Sequence, residues 1–169
     1  MQRTSFKEML CPIARGLERV GEWWSILILR DALDGSTRFD HFQRSLPIAP
    51  NMLSRRLAAL VKAGLMEKRK YSDRPARYEY LLTQAGKDFQ SVIIALYGWG
   101  GAHFGTGKET IRLVNKRTGA RAQPVLVDRK SGRPITEREY HYIPGPDATD
   151  KLKQRMSYRT LRAETRQSA

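Results

Sequence analysis

The stretch from Phe39 to Gly64 constrains the fold most. Phe39, Phe42 and Leu46 recur at i, i+3 and i+7, the spacing of one helix face. Pro47 stops that helix, because proline lacks the N–H and clashes with the preceding turn. Ile48-Ala49-Pro50 leaves room only for a tight turn before a second helix, predicted from about Asn51 to Ala63 and closed by Gly64. On a wheel of about 100° per residue with Leu53 at zero, Leu57, Leu60 and Val61 fall at about 40°, 340° and 80°. That is a narrow apolar stripe turned to a core. Asn51, Arg55, Ala58 and Lys62 fall opposite, with Ser54 and Ala59 flanking.

The remaining elements dress this pair. Residues 14–21 read as a short helix ending at Gly21, and residues 22–34 as a largely buried helix closed by Gly35. In the latter, Trp23, Ile26, Leu27 and Leu33 are expected to share one face, with Arg30 and Asp31 on the other. After Gly64, residues 65–70 and 77–83 alternate as two strands about a turn over Ser72-Asp73-Arg74-Pro75. Residues 84–104 read as one apolar helix, N-capped by Thr83 and loosening at the glycines near 98–101. This order predicts an α+β, mainly α fold: a winged helix-turn-helix over residues 8–104. A small β-rich extension is expected over 110–143, with strands at 111–115 and 123–128 and a third segment near Tyr140. A basic, polar tail without regular structure is expected over 144–169. The chain shows no internal repeats.

Charge narrows the partners. The 169-residue chain carries a net +14, which points to a polyanion, either nucleic acid or an anionic membrane surface. The excess is not even: net charge is +5 over 51–80 and +8 over 105–169, but +1 over 1–50 and zero over 81–104. The longest apolar run, Ile26 to Leu29, is far shorter than the roughly 20 residues of a spanning helix. The N-terminus lacks an apolar signal segment, so a cytoplasmic protein is expected.

The outward face of the 51–62 helix is small, polar and cationic, which suits the major groove of double-stranded DNA. Arg55 can fork onto guanine O6 and N7, and Asn51 can pair with adenine. Ser54 and the helix N-terminus suit phosphate. The hairpin adds Lys68, Arg69, Lys70, Arg74 and Arg77, which as a wing would lie along the phosphate backbone. Lys62 completes the helix face.

At this point the sequence resembles the HxlR-type regulators, a branch of the MarR-like winged-helix group. The resemblance begins at Cys11-Pro12 and runs through Gly21-Glu22-Trp23-Trp24, Ile28-Leu29-Arg30-Asp31 and Arg38-Phe39. It continues over Ile48 to Leu57, Leu60, Gly64-Leu65 and Tyr78 to Gly86. It implies a transcriptional regulator acting as a homodimer, paired through the first and last helices of the domain, on an inverted-repeat operator. Arg38, from the matched Arg38-Phe39 pair, joins the expected DNA-binding set. Cys11 stands where several members keep a cysteine that senses electrophiles or disulfide stress. Such a thiol needs a lowered pKa and access to solvent, and Arg15, one turn on, is placed to assist. A small buried residue at the start of the first helix is the alternative. A small-molecule effector is open on the same ground.

Some longer relatives carry an added segment resembling a zinc ribbon with Cys-Gly knuckles. Here Lys116-Arg117-Thr118-Gly119 and Asp128-Arg129-Lys130-Ser131-Gly132 keep the glycine turns without the thiols. With Cys11 the single cysteine and His141 alone nearby, no metal is expected. The extension is left to dimer support, ligand contact or extra DNA backbone contact. The other readings are weaker. An RNA-binding or ribosome-associated winged-helix protein fits the charge, but Trp23, Trp24, Phe39 and Phe42 sit in apolar patterns, not on an exposed stacking platform. His41, His103 and His141 are scattered, and no phosphate loop or nucleophile elbow is present, so neither an enzyme nor a cofactor is expected.

Overall fold

Proline at the first helical position is pre-set for a helix and loses no bond there, and two helices of the structure begin that way. The structure is a computed structural model that describes residues 6, 9, 11–108 and 110–157. Helix α1 (Pro12–Val20) starts at Pro12, two residues before the expected start, and ends on Gly21 at φ 75°. Helix α4 (Pro50–Lys62) starts at Pro50. Between them lie α2 (Trp23–Leu33) and α3 (Phe39–Ser45).

The core lies where α2, α3, α4 and the base of the first strand meet. Ile28, Leu29, Phe42, Leu53, Leu57 and Leu60 are fully buried, and Met66 nearly so. Each such side chain contributes about 1.5–3 kcal/mol by leaving water. The leucine stripe of α4 is the one read from the sequence.

The face of α2 agrees with the expected one only in part: Ile26 and Leu27 are partly buried and pack against the core. The structure buries Ser25, Ile28, Leu29 and Asp31, and leaves Trp23 74% exposed. This helix is apolar nearly all round, so its own pattern does not choose a face; packing against α3 and α4 does. Arg30 matches one oxygen of the buried Asp31 carboxylate, Nη2 to Oδ1 at 2.7 Å, while Oδ2 has no hydrogen-bond partner among the described residues.

Strands β1 (Met66–Asp73) and β2 (Ala76–Leu82) pair antiparallel, from Met66 opposite Leu82 to Lys70 opposite Tyr78. Ser72 then faces Arg77, so Tyr71 is an extra residue in β1. Such a bulge bends the strand and re-aims side chains. The segment before α3 lies along β2: Arg38 bridges Glu79, and the Tyr80 N–H donates to the Thr37 carbonyl at 2.6 Å.

The expected helix over 84–104 is two helices, α5 (Gln84–Asp88) and α6 (Gln90–Phe104), broken at Phe89, which packs against the core. Beyond the break, α6 runs through Gly98, Gly100 and Gly101 without loosening. Thr83 does cap α5, accepting from the Gly86 N–H at 3.2 Å while its hydroxyl donates to the Gly64 carbonyl at 2.7 Å. This draws Gly86 onto the Gly64-Leu65 backbone.

The chain divides into two compact units, Met1–Pro124 and Val125–Ala169. At the end of the first, Tyr97 of α6 holds the following segment: its hydroxyl donates to the Ile111 carbonyl and accepts from the Leu113 N–H, both at 3.4 Å. The strands expected at 111–115 and 123–128 are reduced to single bridges, Val114 with Arg121 and Val127 with Pro134. In the second unit residues 150–157 are helical, where a tail without regular structure was expected. Each bridge closes a short hairpin around a tight turn, with one backbone hydrogen bond on either side of it: Asn115 N–H to the Ala120 carbonyl and Ala122 N–H to the Leu113 carbonyl in the first, Asp128 N–H to the Arg133 carbonyl and Ile135 N–H to the Leu126 carbonyl in the second.

A Cβ on Gly86 would collide with the Leu65 carbonyl oxygen and stand 3.0 Å from Leu82 Cδ2. Gly86→Ala is therefore expected to destabilise by about 1–3 kcal/mol through overpacking. It should lower the urea midpoint at unchanged m-value.

Candidate nucleic-acid interface

An α4 with three buried leucines must turn its other side to solvent. Asn51, Ser54, Arg55, Ala58, Ala59 and Lys62 are all exposed. The Asn51 carboxamide oxygen accepts from the Met52 N–H at 2.7 Å, which steadies the side chain at the start of α4 and leaves its NH₂ free to donate outward. The remaining arginine of the helix does something else. Arg56 is 12% exposed and pairs with Glu22 at 2.5 Å, fastening α4 to the start of α2. The sequence gives Arg56 no visible role, since an arginine beside another on a helix carries no sign of which one turns inward.

The wing carries the other cations, and its hairpin holds them to one side or the other by strand alternation. Lys68 lies over the Tyr78 ring at 4.0 Å, a cation–π contact that fixes the ammonium without neutralising it. Lys70 is matched to Asp73 at 2.5 Å, so its charge is partly spent within the wing. Arg69 pairs with Glu79 at 2.8 Å. Arg74, in the turn, and Arg77, at the start of β2, are both exposed.

Arg38 belongs to this surface by geometry. As the residue before α3, it is exposed and stacks over Tyr71 at 4.5 Å. Arg38, Phe39, Asp40, Tyr71, Arg77 and Tyr78 line one open concavity between α3 and the wing. Sequence reasoning missed Tyr71, because its placement depends on the bulge. The structure thus brings Arg38 and Arg77 together and holds Asn51, Ser54, Arg55 and Lys62 on one helix face. Cys11 stands apart from both, half-buried ahead of α1, with Arg15 exposed one turn on and its N–H donating to the Cys11 carbonyl at 3.0 Å.

Among the described residues no group of three or more His, Cys, Asp or Glu could hold a metal ion. Likewise, no described helix is long and apolar enough to cross a membrane. The contrast drawn for the aromatic residues needs correction at Trp23, which is exposed, whereas Phe42 is fully buried and Trp24 and Phe39 are half-buried.

A helix-turn-helix followed by a two-stranded wing, with a cationic helix face and a cationic hairpin, defines a winged helix-turn-helix DNA-binding protein. The comparisons agree. The family described as HxlR-like helix-turn-helix matches residues 19–108, and the chain belongs to that family. It is 40% identical over 141 residues to Rv3095 of Mycobacterium tuberculosis, an uncharacterised HTH-type transcriptional regulator. That match covers 83% of this chain and 89% of the relative. The crystal structure of PA1607, described as a candidate transcription factor, superposes with a TM-score of 0.75 at 33% identity. It covers 84% of this chain and all of PA1607. The reduced form of the redox regulator HypR is similar at 28% identity and a TM-score of 0.51, over 54% of this chain and 92% of HypR. The protein is a transcriptional regulator with a helix-turn-helix DNA-binding fold.

Proposed function

We propose that the protein acts as a homodimer on an inverted-repeat operator, placing α4 of each protomer in successive major grooves. The observation that carries this reading is the α4 face: four polar or cationic side chains and two alanines, all exposed, opposite three fully buried leucines. In it Arg55 reads a guanine edge, Asn51 reads an adenine edge, and Ser54 and Lys62 meet phosphate. Arg38, Lys68, Lys70, Arg74 and Arg77 hold the backbone alongside. No catalytic group and no cofactor enter this function.

Pairing through α1 and α6 is supported by apolar surface that one chain leaves open. Helix α6 buries none of its residues, and Val92, Leu96, Trp99 and Phe104 are exposed along it. Ile13 and Leu17 are exposed on α1, and both helices pack against α2. Apolar faces of this kind are expected to be covered by a partner. A two-fold dimer matches two half-sites about one helical turn apart.

We also assign Cys11 as the group through which an oxidant or electrophile releases the operator, a reading supported by the similarity to HypR and by the half-buried position of the thiol. Adjacent to the helix expected to pair the protomers, an adduct there would disturb the spacing of the two α4 helices.

Two outcomes follow. On a duplex enriched from a random pool, Arg55→Ala is expected to cost about 1–3 kcal/mol in operator affinity and to relax preference at one base pair per half-site. Equal loss on operator and scrambled duplexes would mean that Arg55 contacts phosphate only. Diamide treatment should release the operator from wild-type protein but not from Cys11→Ser; equal release from both would remove Cys11 from the mechanism.

A further inference from the structure

Two loops of the C-terminal third share a pattern. Asn115-Lys116-Arg117-Thr118-Gly119 and Asp128-Arg129-Lys130-Ser131-Gly132 both read Asx, two cations, hydroxyl, glycine, each preceded by a valine. This is a short internal repeat, and it corrects the expectation that the chain has none. Likeness to metal knuckles masks it, because that likeness sets each loop beside a zinc ribbon and not beside the other loop.

The structure shows why the pattern recurs. In the first loop the Asn115 carboxamide oxygen accepts from the N–H groups of Arg117 at 2.9 Å and Thr118 at 3.0 Å, and the Gly119 N–H donates to the Asn115 carbonyl at 2.8 Å. In the second, the Asp128 carboxylate accepts from Lys130 at 3.2 Å and Ser131 at 3.1 Å, and the Gly132 N–H donates to the Asp128 carbonyl at 2.8 Å. Gly119 and Gly132 both sit at φ 70°, where a side chain would be strained. The Asx side chain thus does in each loop what a turn needs, satisfying two backbone donors from inside. The Ser131 hydroxyl and these backbone N–H groups hold the Asp128 carboxyl below the ordinary carboxylate range.

What each loop then presents is a pair of adjacent cations on a fixed backbone: Lys116 with Arg117, and Arg129 with Lys130. All four residues are exposed, and among the described residues none has an ion-pair partner. Residues 111–124 contain four Lys/Arg and no Asp/Glu. The exposed charged side chains of the loops are all cationic, the other exposed ones are the short polar Asn115, Thr118 and Ser131, and no loop residue carries an aromatic ring for base stacking. A paired cation on a rigid turn matches adjacent phosphates of a backbone and carries no base readout.

We propose that the two Asx loops are phosphate clamps, each gripping the backbone of double-stranded DNA through Lys116-Arg117 or Arg129-Lys130, and adding sequence-independent affinity. The assignment rests on the DNA-binding reading above, but it concerns a different surface and a different kind of contact.

The test replaces Lys116, Arg117, Arg129 and Lys130 together with glutamine, which leaves Asn115, Asp128 and both glycines in place. Binding is measured to the selected operator and to a scrambled duplex of equal length over a range of salt. Affinity for both is expected to fall by the same factor, about tenfold or more. The slope of log affinity against log salt should become shallower by about 0.9 for each phosphate that the loops no longer neutralise. Exchanging Lys for Arg and Arg for Lys at the four positions should restore both. An unchanged slope, or a loss confined to the operator, overturns the assignment. Failure of wild-type protein to enrich any symmetric operator would count against the α4 reading and not against this one, since the scrambled duplex still reports on the loops. A second measurement needs no substitution: duplex DNA should protect the Lys116 and Lys130 amines of the wild-type protein from acetylation. Equal labelling with and without DNA overturns the assignment on its own.

Discussion

The surface proposed to face DNA depends on the burial of Leu53, Leu57 and Leu60 against α2 and α3. Those side chains leave no solvent exposure, so α4 cannot rotate about its axis without opening the core, at a cost of about 2–5 kcal/mol for each leucine cavity. Arg56 adds a polar tether to Glu22 on the adjoining turn. A helix so pinned presents one face, and that face is small and cationic. Recognition of a groove requires this order, because a rigid helix can discriminate base edges only if its position is set before DNA arrives.

The wing is placed by a different force. Backbone hydrogen bonds from the segment before α3 tie β2 to the helical core, at Thr37 with Tyr80 and Arg38 with Glu79. Thr83 and Gly86 fix the open base of the hairpin against Gly64 and Leu65. Both ties act on the half of the hairpin nearest the helices, at residues 79–83, and only some of the wing's cations are unspent. Arg69 and Lys70 are paired within the hairpin, and the unmatched charge comes chiefly from Lys68, Arg74, Arg77 and Arg38.

How much of this was legible in the sequence varies with how local the cause is. The face of α4 was readable because its apolar period is clean and polar residues occupy the rest of the wheel. The Thr83 cap was readable for the same reason, since the bond lies within three residues. The face of α2 was not, because Trp23, Ile26, Leu27, Ile28 and Leu29 offer apolar surface in every direction and the neighbours decide. The break at Phe89 arises from a tertiary contact that the apolar run does not announce. Tyr71 reaches Arg38 only because the strand bulges there. In the C-terminal third the glycine turns were visible, but the role of Asn115 and Asp128 in closing them was not, since a side chain that caps its own loop leaves no period in the sequence.

The central claim is that α4 enters the major groove at two symmetric half-sites. Methylation interference on the selected operator tests it most directly, since guanine N7 lies in the major groove and adenine N3 in the minor. The account predicts that methylated guanines block binding in two symmetric clusters about one helical turn apart. Interference from adenine N3 alone, or a single cluster without symmetry, would contradict it.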